Sequence, residues 1–190
     1  MSNPLDELDI RTLRLNLCIT QGIVWALAAS ASFLIHGREK TYLMFTISDR
    51  LDFAYAGGVA MLAVGASIAM ARYLPRTWQD DGNINERIFI GLPFWQTLGL
   101  CITVGVGEEW LFRGVLQPLI GNVWTSLVFM LVHVRYLRKP LLLVSVFGTS
   151  YLLGCLFELH DSLLPPIFAH IVIDLSLAVY LQKTHREGRN

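Results

Sequence analysis

The residues of this chain that could do chemistry fall in three groups in its second half. Glu108 and Glu109 stand side by side with Arg113 four positions on, His133 stands alone, and His170 precedes Asp174 by four. All lie in apolar surroundings: from Leu92 to Gly107 the only ionisable side chain is Cys101, and from Gly114 to Val132 there is none. A charge at such a depth in a bilayer costs at least ~2.5–3.5 kcal/mol on insertion scales, so an intramembrane carboxylate marks function by default. A carboxylate near two imidazoles can hold a water, take its proton and pass that proton to a leaving amine, while the second imidazole or Asp174 steadies the oxyanion. The same trio of Glu108, His133 and His170 could instead ligate zinc, with two nitrogens, one oxygen and an open position for water.

Spacing assigns faces. Glu109 and Arg113 at i, i+4 can form an ion pair along one helix. Glu108 projects about 100° away, free to face the histidines. Phe129 shares a face with His133 and is the candidate substrate contact, and His170 shares one with Asp174. Each group alone has a plainer reading: Glu109–Arg113 as a structural pair, His133 as an interfacial histidine near Arg135, His170 as a buried histidine bonded to a neighbouring helix. Cumulative depth favours a shared site. At 1.5 Å per residue from the non-cytoplasmic span ends at about Ile120, Asn122 and Ser162, Glu108, His133 and His170 lie ~18, ~16 and ~12 Å deep on three helices. His36, His160 and His185, at span ends or in the tail, are expected to be solvated.

The elements that must position these groups are membrane helices. Of 190 residues, 54% are hydrophobic and 16% charged, with a mean hydropathy of +0.50, against roughly 25% charged in a soluble domain. The formal net charge is zero, so no global field argues for a nucleic-acid partner. Cys18, Cys101 and Cys155 lie far apart in apolar runs and read as small buried hydrophobes, not as a disulfide or metal framework. The first apolar run lacks a small-residue cleavage site and is expected to be retained.

The spacing predicts an all-α polytopic bundle of about six transmembrane helices. A weakly amphipathic stretch over 1–14 suits a surface helix. Spans follow over 15–35, 53–74 (rich in Gly and Ala, which let helices approach), 94–119, 124–136, 140–157 and 165–182, the last opened by Pro165-Pro166. The bundle thus occupies 15–183, with the chemistry in 94–182 and a polar tail over 184–190. With both termini on one side, that side collects Arg11, Arg14, Arg72, Arg76, Arg87, Arg135, Arg138, Lys139, Lys183, Arg186 and Arg189, and the other only Arg38, Lys40 and Arg50. The positive-inside rule puts both termini in the cytoplasm.

Glu108-Glu109-x3-Arg113-Gly114, then Phe129-x3-His133, then His170-x3-Asp174 resembles the three ordered motifs of the CPBP (CAAX protease, or Abi) family of intramembrane endopeptidases, which includes the type II CAAX prenyl endopeptidases. The resemblance covers about 94–182. It implies that Glu108 activates water, Glu109 and Arg113 support it, His133 helps bind that water, and His170 with Asp174 stabilises the transition state. Asp174 stands where the family often has Asn. Family members are described both as glutamic-type and as metalloproteases; no cofactor is favoured here, with zinc as the alternative. The implied substrate is a membrane-anchored or lipidated polypeptide entering from the lipid bilayer between spans, and the small size resembles bacterial members, hence a bacterial inner membrane. Two other readings are a non-catalytic scaffold or bacteriocin-immunity protein and a small proton- or metal-coupled carrier; absence of a repeat between the halves disfavours the carrier.

Overall fold

The computed structural model describes residues 9–46, 49–75, 78, 83–137 and 139–187. Most of the expected surface helix over 1–14, the basic residues Arg76, Arg138 and Arg189, and the loop residues Asp80, Asp81 and Gly82 lie outside the described residues. Among those described, every regular element is a helix.

α1 (Ile10–Leu43) starts on Asp9, whose side chain accepts the Thr12 backbone N–H at 2.6 Å. That bond holds the Asp9 carboxyl below its usual range, and residues 10–14 form the first turns of α1. The helix runs beyond the span read from sequence because Gly37, at φ 74°, kinks it without ending it. Thr41 braces the kink by donating to the Gly37 carbonyl at 2.8 Å. α2 (Leu51–Tyr73) and the short α3 (Ile84–Phe89) follow.

α4 (Phe94–Glu109) begins after Pro93, passes into a π-helical stretch over Trp110–Leu116, and ends as α5 (Gln117–Ile120) at Gly121, whose φ of 79° suits only glycine well. The third span is therefore one rod, with its wide turn beginning right after the paired glutamates. Such turns commonly sit at functional places in helices. α6 (Asn122–Val132) is shorter than the 124–136 span expected: His133 leaves helical geometry at φ −81°, ψ 55°, and a 3₁₀ turn covers Val134–Tyr136. α7 (Pro140–His160) and α8 (Leu164–Glu187) complete the chain.

Four of these helices, α1, α2, α7 and α8, are long and apolar enough to cross a membrane. Contacts at the two ends show the chain passing back and forth between them. At one end Arg14 of α1 donates to the carbonyls of Ile88 and Ile90, Gln182 of α8 donates to Phe89 O, and Arg135 donates to Asn85. At the other, Leu163 N–H donates to Met44 O at 2.7 Å and Ser162 to Thr46 O. The start of α1 and the end of α8 thus share one end of the bundle.

A small-residue seam on α2 sets the middle of the fold. Ala56, Ala60 and Ala63 pack against Leu153 and Leu156 of α7 and Ala169 and Ile173 of α8. Alanine carries this seam: a Cβ added at Gly57, Gly58 or Gly65 would meet nothing within 4 Å. Cys101 is buried and Cys155 half-buried, but Cys18 is exposed, on the side of α1 that lines an open groove against α4.

Candidate active site

Glu109 and Arg113 are both completely buried. Arg113 Nε donates to Glu109 Oε2 at 3.0 Å, and its Nη2 donates to Ser150 Oγ on α7 at 2.9 Å. The guanidinium also lies 5.6 Å from the centre of the Phe129 ring. The i, i+4 pair expected from the sequence is thus the root of a wider network.

His170 meets Glu109. Its Nδ1 is 2.7 Å from Glu109 Oε1, a contact expected instead for Glu108. The reason lies one turn earlier. A Cβ at Gly105 would stand 2.9 Å from Ile171 Cγ1 and 3.7 Å from His170 Cβ, so this glycine lets α4 close on α8. Glu109, at i+4 from Gly105, shares that face and points at His170. The other ring nitrogen of His170 faces Asp174 Oδ2 at 3.5 Å, and Asp174 is about one-third exposed.

Glu108 is half-buried, and its Oε1 accepts from Gln21 Nε2 of α1 at 3.0 Å. His133, also half-buried, directs Nδ1 at the Phe129 carbonyl at 2.7 Å. A carbonyl only accepts, so Nδ1 carries the proton and Nε2 of the neutral ring is left as an acceptor. Phe129 joins the two imidazoles: its ring centre is 4.8 Å from that of His133 and 6.4 Å from that of His170. It is 6% exposed and also packs edge-on against Phe112. Its place is the packing centre between the histidines, which leaves little of its ring for a substrate.

A metal fits this arrangement poorly. Among the described residues no three His, Cys, Asp or Glu side chains gather closely enough to hold an ion. In the set considered from sequence, Glu108, His133 and His170, both ring nitrogens of His170 already face carboxylates.

Beside Glu108, α1 and α4 stand apart and leave an open-sided groove of about 620 Å³, lined by Cys18, Gln21, Gly22 and Trp25 on one helix and Gln96, Gly99, Leu100 and Thr103 on the other. A Cβ at Gly22 or Gly99 would meet nothing within 4 Å, so these glycines keep the groove wide. Sequence reasoning missed Gln21 and Ser150. Each is a polar side chain in the middle of an apolar run, which was the available signal.

His160 departs from expectation. Its Nδ1 is 2.8 Å from Asp52 Oδ1, both side chains under one-tenth exposed, at the far end from α3. His185, expected free in the tail, pairs with Glu86 at 2.6 Å.

A helical membrane bundle that buries a Glu–Arg–His network beside a second glutamate has the form of an intramembrane hydrolase. The family comparison agrees: residues 90–176 match the family described as type II CAAX prenyl endopeptidase Rce1-like. The chain is also 35% identical over 164 residues, covering 86% of each chain, to the Bacillus subtilis (strain 168) protein named "Uncharacterized protein YpbD". The chain belongs to this CAAX protease-like family. Membership supports protease activity of the CAAX type within a membrane. No solved structure was found to match the chain.

Proposed function

We propose that this protein is an intramembrane endopeptidase that hydrolyses a peptide bond in a membrane-anchored or lipidated polypeptide, by C-terminal processing or leader trimming. The observation that carries the reading is the half-buried Glu108 beside a buried Glu109–Arg113–His170 network.

In this mechanism Glu108 takes a proton from water as the oxygen attacks the scissile carbonyl, then gives it to the departing amine. His133 steadies that water through Nε2, its tautomer set by the bond from Nδ1 to Phe129 O. His170 stabilises the developing oxyanion through Nε2–H, its ring held by Glu109 on Nδ1 at 2.7 Å while Asp174, 3.5 Å from Nε2, is too far to claim that proton firmly. Arg113 balances the Glu109 charge, so that the network stays in register without water. That no three ligand-type side chains converge among the described residues supports metal-free glutamate chemistry over zinc.

The groove between α1 and α4 supports sideways entry of the substrate, because it reaches Glu108 through Gln21. Basic-residue placement supports cytoplasmic termini, and the likeness to a Bacillus protein supports a bacterial inner membrane. The residue ranges 1–14, 15–183 and 184–190 are the proposed division into surface segment, bundle and tail, with α1 beginning inside the first and α8 continuing into the third.

The test is cleavage of a membrane-anchored peptide by purified protein in lipid vesicles, with products weighed. Glu108→Gln is expected to lower turnover by roughly 10²- to 10⁴-fold, the usual worth of a general base, with the fold intact. Retained turnover in that variant would refute the reading.

A further inference from the structure

We propose that Gln21 is a positioning residue for Glu108, so that the first span, outside the family-matched segment, supplies a working part of the site. This deepens the glutamate reading above and rests on it.

Gln21 lies in the middle of α1, 4% exposed. Its Nε2–H donates to Glu108 Oε1 at 3.0 Å, and among the described residues no other hydrogen bond reaches that carboxylate. Its own side-chain carbonyl oxygen is buried with no partner among the described residues. A buried unpaired oxygen costs stability, and leucine or methionine would fill the same space against α4 without that cost. Packing alone therefore favours an apolar residue, and the amide is explained by what its donor does.

The register that brings Gln21 to Glu108 is set one residue away. A Cβ at Gly107 would stand 2.6 Å from Trp25 Nε1 and 3.4 Å from Gln21 Oε1, so only glycine admits α1 this closely. Trp25 Nε1–H donates to Thr103 O at 2.9 Å and pins the approach. With Oε1 of Glu108 tied down, Oε2 has one direction in which to meet water. A base held by a second residue whose own position is locked keeps its productive geometry.

The experiment compares wild type with Gln21→Met in lipid vesicles, reading kcat, KM and melting temperature. The expected result is a kcat lower by roughly 10- to 100-fold, typical of lost positioning, with KM unchanged and the variant still folded at the assay temperature. An unchanged kcat or a loss confined to KM overturns the proposal. A second variant, Gly107→Ala, pushes Trp25 and with it α1 away from α4. It is expected to lower kcat similarly, and the double variant to lose no more than the worse single one; losses that multiply overturn the proposal, because they mark independent effects. If Glu108→Gln still cleaves, the glutamate reading has failed; if it is inactive while Gln21→Met turns over normally, only the role of Gln21 has.

Discussion

Among the described residues two carboxylate–imidazole pairs are buried, and they are nearly identical in isolation. Glu109–His170 closes at 2.7 Å and Asp52–His160 at 2.8 Å. Their surroundings differ. Glu109 has Arg113 on its second oxygen, His170 has Asp174 on its second nitrogen, Glu108 adjoins Glu109 on α4, and Phe129 links His170 to His133. Asp52 accepts the Asp49 N–H, His160 lies against the Tyr55 ring at 5.8 Å, and its buried Nε2 has no partner among the described residues. The first pair is embedded in several ionisable groups beside a groove, whereas the second joins the start of α2 to the end of α7. A close acid–histidine contact is therefore a way of holding helices together in a dry place; it becomes a candidate for catalysis when further groups converge on it and a reactant can reach them.

That contrast can be broken by substitution. The largest stability effect is expected from Arg113→Ala, which leaves Glu109 buried without its cation: about 3–5 kcal/mol by unfolding in detergent, with cleavage lost as well. Ser150→Ala removes the bond from α7 to the guanidinium and should cost about 1.5–3 kcal/mol, as for other hydrogen bonds to charged groups. Asp52→Asn weakens the other pair and is expected to cost about 1 kcal/mol, with turnover per folded molecule unchanged. A change in turnover there would mean the two ends are coupled.

The smallest effect is at Asp9, remote from both pairs. The bond from the Thr12 N–H lowers the Asp9 carboxyl, so its contribution is full above the ordinary value near 3.8 and disappears as pH falls through the lowered one. Melting curves of wild type and Asp9→Ala should differ slightly at neutral pH and converge in acid.

Much of the architecture was legible because apolar run length is a strong signal in a membrane chain. The third span as one rod, Pro140 and Pro165-Pro166 opening helices, and the Glu109–Arg113 pair all follow from local rules. What failed was the assignment of faces to neighbours. The 100° step separates Glu108 from Glu109 but does not say which helix each will meet; Gly105 and Gly107 decide that by admitting α8 and α1, and glycine leaves no trace of its partner in sequence. For the same reason the α2 seam fell to alanines, while its glycines face open space. His160 looked solvated because Asp52 is distant in sequence. Gln21 was passed over as one polar residue in a long apolar run.

The most direct measurement of the central claim sets the two imidazoles against each other: turnover of a membrane-anchored peptide, per folded molecule, by His170→Gln and His160→Gln in the same vesicles. The account predicts a loss of at least about 100-fold for His170→Gln, on the scale of a missing oxyanion donor, and near-normal turnover for His160→Gln. Equal effects, or a larger loss at His160, would contradict it.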